Sequence, residues 1–265
     1  YPFECSEQIA SRMISTAALR DVLTAFNAKG VPGREALDAR FAKDIEILRS
    51  RMREDGSFGL WRRDNERYGY PFVSIHAAHS LVLARKKGYA VPDEMLRAAG
   101  KYLKSIESRP DRQNSKKPQT SAAILAYALY VRSELGDKDI ARAKELLASV
   151  LSEEPSFEAV GWLLSVLAED PGSRQQVDQI LRFLNTRVAE TASSAHFVTN
   201  YGDDGWLIMQ SERRADGILL DALIKADRNS ELIPKLVRGL LDSRIRGSWS
   251  GTQENVFILL ALAAV

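Results

Sequence analysis

The chain has 265 residues, of which 45% are hydrophobic, so it is long enough to bury one large core. Its 37 basic and 35 acidic residues nearly balance, which argues against a nucleic-acid groove or a polybasic membrane surface. No apolar run approaches the roughly eighteen residues of a membrane span, and the single cysteine cannot form an internal disulfide.

The first eight residues contain that cysteine, Cys5, and a glutamine three positions after it, Gln8. A thiol and a side-chain amide at this spacing can meet when the backbone bends, and loss of ammonia then leaves an internal thioester. A lone cysteine is more often an inert buried thiol. The pair therefore indicates a stored acylating group only if the remainder of the chain agrees with it.

Apolar residues recur at three- and four-residue spacing along most of the chain, and Gly, Pro, Asp and Asn interrupt them at intervals, which predicts an all-α fold. An irregular segment with a short hairpin is expected at 193–205. Helices are predicted at about 6–27, 33–53, 70–87, 93–108, 119–135, 138–152, 156–169, 173–191, 206–226, 230–243 and 252–265.

The odd-numbered helices differ in pattern from the even-numbered ones. Segments 122–129, 160–167 and 256–262 are apolar nearly all round, which is typical of helices buried on every side, whereas 141–148 has one apolar stripe and one charged face. This alternation predicts stacked helical hairpins, with parallel inner helices and outer return helices. The N-terminal ends of the inner helices then share one face.

The pattern Cys5-Ser6-Glu7-Gln8 resembles the thioester motif, Cys-x-Glu-Gln, of the alpha-2-macroglobulin and complement superfamily. The lead-in Tyr1-Pro2-Phe3-Glu4 looks like that of the bacterial alpha-2-macroglobulins. Two turns, 55–61 and 247–255, are similar to the Gly-x-Trp connections before inner helices in this superfamily. Glycine there supplies a positive φ and tryptophan an apolar plug. The resemblance implies an α/α toroid of about six helical hairpins, as a single thioester domain over 1–265 and a fragment of a larger multidomain protein.

The same resemblance implies a covalent trap for proteases. Cys5 is then the sulfur donor and leaving group, and Gln8 is the acyl donor that becomes bonded to a lysine amine of the target. The reaction is used once, so the domain is not an enzyme, and it needs no cofactor beyond its internal thioester. Partners would be the target proteases and the other domains of the parent protein, which shield the thioester, in the periplasm or cell envelope. Neither nucleic acid nor a membrane is expected to contact this domain.

Several residues are expected to support the thioester. Glu7 is either a capping carboxylate that orients the loop or a first-turn acid favoured by the helix dipole. Tyr1 and Phe3 are candidates for shielding the bond from water, and the helix end is expected to lower the pKa of the free Cys5 thiol. The rim residues Gln253, Glu254 and Trp249 are expected near the motif, because closing the ring makes the first and last inner helices neighbours.

The three histidines lie outside the loop where complement proteins of this superfamily carry a reactive one. That loop, 109–118, contains no histidine here, which predicts reaction with amines over hydroxyls. His76 and His79 are spaced for a metal, but without an apparent third ligand packing or rim positions are favoured. His196 is expected to be structural or exposed.

Other functions of a helical toroid stay open at this point. A glycosidase needs two carboxylates, for which the chain has many candidates. A terpene cyclase needs an aspartate-rich motif, and the sole adjacent pair is Asp203-Asp204. A helical scaffold that binds a protein non-covalently needs neither, and it has no use for Cys5 with Gln8.

Overall fold

The computed structural model describes residues 4–25, 32–61, 69–108, 117–151 and 154–265, and it confirms the predicted all-α fold. One antiparallel pair of two-residue strands accompanies the helices: β1 is Ala189–Glu190 and β2 is Ala195–His196. The α-helices are α1 Ser6–Ala25, α2 Arg34–Arg51, α3 Pro71–Lys86, α4 Asp93–Lys104, α5 Pro118–Glu134, α6 Ile140–Val150, α7 Phe157–Ala168, α8 Arg174–Arg187, α9 Arg214–Ala226, α10 Leu232–Asp242 and α11 Thr252–Leu262.

The chain divides into two compact units, Tyr1–Arg109 and Pro110–Val265. In the first unit α1 packs along α3, while α2 contacts both of them and α4 contacts α3. Helix α3 is buried along nearly its whole length, as its apolar sequence requires. The rings of Phe41 and Tyr89 stack with their centroids 3.7 Å apart and fix α2 against the turn after α3.

In the second unit the inner helices pack in chain order, α5 on α7, α7 on α9 and α9 on α11. Helices α6, α8 and α10 contact them from outside, so the predicted alternation of inner and outer helices is confirmed within this unit. The core is centred on Trp162 of α7, whose ring stacks on Tyr127 of α5 at 4.3 Å and meets Phe257 of α11 edge-on at 5.9 Å. Aromatic pairs of this geometry add to the stabilisation from buried area.

The turn before α3 has the expected glycine, but the buried aromatic side chain is a phenylalanine and not the expected tryptophan. Gly56 has φ +85°, and a Cβ there would lie 2.1 Å from the carbonyl oxygen of Ala98, so only glycine fits. Phe58 fills the interior and is fully buried, whereas Trp61 is 49% exposed. The expectation that Trp61 plugs the rim is therefore wrong, because Phe58 already occupies the interior position.

The turn before α11 follows the expectation at both positions. Gly247 has φ +87°, and the side chain of Trp249 is buried. Its indole N–H donates to the carbonyl of Leu240 at 2.8 Å, which satisfies its one polar atom.

Helix α9 begins at Arg214, eight residues later than the sequence predicts. The apolar residues 206–209 belong to a 3-10 turn, Gly202–Ile208, which ends at Met209 with a left-handed φ of 49°. The Arg214 guanidinium donates to the carbonyls of Ile208 and Met209, so these carbonyls are bound from outside the turn and an α-helix does not start there. A short hairpin is present as β1 and β2, but it starts at Ala189, which lies before the expected segment 193–205 and within the predicted helix 173–191.

None of the helices in the described ranges meets the length and hydropathy of a bilayer-crossing segment. The sequence predicts one domain over 1–265 in which the first and last inner helices are neighbours. This expectation concerns both units together, and it stays a prediction.

Candidate functional site

Cys5 is the N-cap residue of α1. The helix begins at Ser6, and the carbonyl of Cys5 accepts the first helical hydrogen bond, from the N–H of Ile9 at 3.1 Å. The thiol is half-buried and accepts hydrogen bonds from the backbone N–H groups of Gln8 and Glu7. The sulfur thus lies over the free N–H groups of the first turn, as an N-cap side chain does.

Gln8 reaches back to the same point from the third helical position. Its Oε1 accepts a hydrogen bond from the backbone N–H of Cys5 at 3.2 Å. Together the two residues form a reciprocal capping box, with a thiol in the place of the usual hydroxyl. The spacing that caps the helix therefore also gathers the sulfur and the carboxamide at one helix end.

The turn that leads to α3 holds this helix end in place. The N–H and hydroxyl of Ser6 donate to the carbonyls of Leu60 and Gly59, at 2.7 and 2.6 Å. From the last turn of α2, Arg51 donates to the carbonyls of Glu4 and Leu60, at 2.8 and 3.2 Å. The backbone on both sides of Cys5 is therefore fixed by residues about fifty positions away. Such supporting contacts hold a functional site rigid.

An ion cluster fixes the lead-in to α1. The guanidinium of Arg12 binds both carboxylate oxygens of the buried Asp44, at 2.8 and 3.1 Å, and also pairs with Glu4. Arg40 lies 3.5 Å from the Asp44 carboxylate. Burial is the largest single influence on the pKa of Glu4 and raises it, but the hydrogen bond to Arg12 and the charges of Arg12 and Arg40 together outweigh burial, so this pKa lies below its usual value.

Glu7 lies in the first turn of α1, and its role as a capping or dipole-favoured acid stays a prediction. Its carboxylate is buried and accepts a hydrogen bond from the hydroxyl of Ser11 at 2.7 Å. The same hydroxyl lies 2.9 Å from Nε2 of His76 on α3, which is fully buried. Glu7 is thus linked through α1 to the neighbouring inner helix.

The pKa of the Cys5 thiol is raised overall, although the N–H groups of the helix end act to lower it as expected. Burial is the largest cause, because it disfavours the thiolate, and the charge of Glu7 acts in the same direction. The backbone N–H groups of Gln8 and Glu7 and the charge of Arg51 lower the pKa, but they do not offset the burial. The thiol is therefore held in its neutral form near pH 7.

The other residues expected to support the site fall into two groups. Tyr1 and Phe3 lie outside the described residues. Gln253 and Glu254 are buried in the first turn of α11, where Glu254 accepts hydrogen bonds from the N–H groups of Arg213 and Ser250, at 2.9 and 3.1 Å. Glu254 thus ties the start of α9 to the turn before α11. Proximity of Gln253, Glu254 and Trp249 to the motif stays a prediction.

The histidines occupy packing positions where the structure describes their surroundings. The rings of His76 and Phe72 stack with centroids 6.3 Å apart, His79 is buried on the same helix, and His196 is half-buried in β2. In the described ranges no group of three potential metal-ligating side chains comes together. The loop at 109–118 lies mostly outside the described residues.

A second buried polar cluster lies at the N-terminal ends of α7 and α9. Glu158 and Arg214 are both fully buried and pair at 3.2 Å. The hydroxyl of Tyr201 donates to Glu158 and lies 2.7 Å from the hydroxyl of Ser156. The Ser156 hydroxyl caps α7, accepting from the N–H of Ala159 at 3.1 Å.

Asp216 is a buried carboxyl in the first turn of α9. Burial raises its pKa from 3.8 to about 7, although the N–H of Phe197, at 2.7 Å, and the guanidinium of Arg213 act in the opposite direction. Through its bond to Phe197, Asp216 connects the irregular segment before α9 to that inner helix.

No family model matches the chain. Among curated proteins, an alpha-2-macroglobulin homolog of Nostoc sp. is 26% identical over 261 residues, which cover 97% of this chain and 13% of that protein. The circularly permutated Ras protein 2 of Dictyostelium discoideum is 23% identical over 279 residues, which cover 99% of this chain and 7% of that protein.

Solved structures that match over nearly the whole chain include three bacterial alpha-2-macroglobulins. Salmonella alpha-2-macroglobulin reacted with methylamine has a TM-score of 0.81 at 20% identity and covers 100% of this chain. Native Escherichia coli alpha-2-macroglobulin, from domain MG7 to the C-terminus, has a TM-score of 0.77 at 21% identity and covers 100% of it. The trypsin-activated E. coli protein has a TM-score of 0.72 at 17% identity and covers 99% of it.

The chain is related to the bacterial alpha-2-macroglobulins. The expected fold class, all-α of the α/α-toroid type, is confirmed by this likeness. The chain spans 7% and 13% of the two curated proteins, and 17%, 40% and 17% of the three alpha-2-macroglobulin structures. It therefore matches one part of each of these longer proteins.

Three residues that contact the N-terminal end of α1 could not be assigned to it from the sequence. Arg51 and His76 reach the motif only through tertiary contacts, which no local pattern predicts, whereas Ser11 bonds Glu7 one turn along the same helix. Only the burial of Ser11 could be predicted from the sequence, because Ser11 lies seven residues before the buried Ala18 and so on the same side of α1.

Proposed function

We propose that the chain is an alpha-2-macroglobulin thioester domain whose Cys5 and Gln8 form an internal thioester. The observation that carries this proposal is the reciprocal contact at the start of α1. The thiol accepts from the N–H of Gln8, while the Gln8 carboxamide accepts from the N–H of Cys5 at 3.2 Å. Two groups that must react with each other are already gathered by the capping geometry.

Formation of the bond is a transacylation. The Cys5 sulfur attacks the carboxamide carbon of Gln8, the C–N bond breaks, and the thiol proton leaves with the nitrogen as ammonia. In the reverse sense, an amine attacks the same carbon, the C–S bond breaks with its electrons on sulfur, and the amine proton passes to the thiolate. The products are a substituted amide at Gln8 and a free Cys5 thiol.

Each opening consumes the thioester, so the domain acts as a covalent trap and not as a catalyst. Protease lysines are the proposed amines, and this is supported by an E. coli relative described as trypsin-activated and another described as activated by porcine elastase. A Salmonella relative described as reacted with methylamine supports amine chemistry. Other domains of the parent protein are proposed to shield the bond, in the periplasm or cell envelope.

A capture experiment tests this function. The chain is mixed with trypsin, the products are denatured, and adducts that survive are digested and sequenced by mass spectrometry. The expected result is an amide link between Gln8 and a trypsin lysine, absent in the Cys5→Ser chain. A chain that carries the thioester but forms no such link would overturn the trapping function.

A further inference from the structure

A buried hydrogen-bonded chain lies directly beneath the capped helix end. Ser11 contacts the Glu7 carboxylate at 2.7 Å and Nε2 of His76 at 2.9 Å. The three side chains are 4%, 5% and 0% exposed for Ser11, Glu7 and His76. Buried polar groups of this kind are costly unless they are hydrogen-bonded, so the chain fixes where the Glu7 carboxylate lies.

The available protons determine the direction of this chain. An ionised carboxylate only accepts, so the single Ser11 proton points to Glu7. The Ser11 oxygen must then accept from His76, which therefore carries a proton on Nε2.

The Glu7 carboxylate matters because it lies between the two residues of the motif in sequence, in the first turn of the helix whose start is Cys5. Its charge disfavours the thiolate, in the same direction as burial, while the charge of Arg51 favours it. Opening a thioester places negative charge on the leaving sulfur and on the carbonyl oxygen. A fixed negative charge nearby therefore slows the opening.

We propose that Ser11 and His76 are positioning residues that hold the Glu7 carboxylate against the Cys5–Gln8 helix end, where its charge restrains the opening of the thioester by amines. This inference rests on the proposed function. It gives the third motif residue a defined role, as a brake that keeps the acyl group from reacting prematurely.

Four variants separate charge, tether and packing. Glu7→Gln removes the charge and keeps the size and the acceptor for Ser11. Ser11→Ala removes the link, and Ser11→Thr restores a hydroxyl. His76→Phe keeps a ring that can stack on Phe72 but removes the N–H donor.

Two rates are measured in each variant: opening of the thioester by methylamine at fixed pH, and alkylation of the Cys5 thiol by iodoacetamide across pH. Glu7→Gln should open about threefold to tenfold faster and shift the thiol pKa downwards. Ser11→Ala and His76→Phe should change the opening rate and the thiol pKa in the same direction but less. Ser11→Thr should match the parent chain in both quantities. Thermal unfolding is followed in parallel, and Ser11→Ala carries the test if His76→Phe does not fold.

Unchanged opening and an unchanged thiol pKa in Glu7→Gln would overturn the inference. So would variants of Ser11 and His76 that alter only the thermal midpoint, since a merely structural role predicts that result. Slower opening of the thioester in His76→Phe would indicate that His76 is a cation that offsets the charge of Glu7. This result would also overturn the proposed positioning role of Ser11 and His76. Thiol alkylation is measurable without a thioester, so absence of the bond would count against the proposed function while this readout still decides the role of Glu7.

Discussion

The backbone N–H of Cys5 donates to Oε1 of Gln8 at 3.2 Å, and the Gln8 N–H in turn bonds the Cys5 sulfur. Either half of this exchange is an ordinary helix cap. What distinguishes it from a Ser or Thr cap is the sulfur, because a thiol and a carboxamide in contact can lose ammonia and a hydroxyl cap does not do so readily. The helix cap and the proposed reactive group are thus one structure.

The capping role predicts a stability effect that is independent of the thioester. In the Cys5→Ser chain, which keeps a capping side chain, Gln8→Ala should lower the free energy of unfolding by about 0.5–2 kcal/mol. Gln8→Glu in the same background should lower it by less, because a carboxylate oxygen also accepts the N–H of residue 5. Urea unfolding measures both. Equal losses in the two variants would show that the Gln8 side chain does not cap α1.

Arg51 is predicted to fix the motif from α2. Arg51→Ala leaves the carbonyls of Glu4 and Leu60 without this donor and should lower the free energy of unfolding by about 1–3 kcal/mol. It should also shift the pKa of the Cys5 thiol upwards, because the Arg51 charge favours the thiolate.

Arg49 on the same helix is the matched control. It is 52% exposed and pairs with Glu46 and Glu94 at 3.5 and 3.4 Å, so Arg49→Ala should change the free energy of unfolding by no more than about 1 kcal/mol. Urea unfolding and iodoacetamide titration compare the two variants. A thiol pKa that moves equally in both would contradict a specific role for Arg51.

Amines are predicted to outcompete hydroxyls for the Gln8 acyl group. The loop at 109–118 has no histidine to form an acyl-imidazole intermediate, so the nucleophile must attack the thioester itself. With methylamine and glycerol at equal concentration, peptide mass spectrometry should find the amide at Gln8 and essentially no ester. A substantial glycerol ester would mean that another group of the chain relays the acyl transfer.

Asp216 is predicted to make stability depend on pH. Its folded pKa of about 7 lies above 3.8, so its favourable contribution is complete below about pH 4 and is lost as pH rises through about 7. Between about pH 4 and pH 8 the parent chain should therefore lose a few kcal/mol relative to Asp216→Asn.

Urea unfolding at a series of pH values gives this difference. Asp242→Asn serves as the control, since Asp242 is exposed and pairs only at the surface with Arg238 at 3.2 Å. Parallel pH profiles for the parent chain and Asp216→Asn would contradict a raised pKa at Asp216.

The helical layout could be predicted because it depends on local periodicity. Helices apolar all round, such as α7, had to be buried, and in the second unit they are the inner layer. The contact between Cys5 and Gln8 could also be predicted, since a three-residue spacing at a helix start is set by local geometry. Gly56 was predictable for the same reason, because its positive φ belongs to a tight turn.

The errors arose where distant residues decide the outcome. Residues 206–209 have a helical pattern, but Arg214, which pairs with the distant Glu158, binds the carbonyls of Ile208 and Met209, and helix α9 starts later. The pKa of Cys5 was expected below its usual value, whereas burial by packed elements outweighs the helix end. Ser11 and His76 are 65 positions apart, and no local pattern could have joined them.

Intact mass of the freshly prepared chain, before and after methylamine, tests the thioester most directly. The account predicts a mass one ammonia below that of the sequence, a gain of one methylamine located at Gln8, and one newly titratable thiol at Cys5, all absent in Cys5→Ser. A chain of full sequence mass, with Cys5 already a free thiol and no methylamine at Gln8, would contradict it.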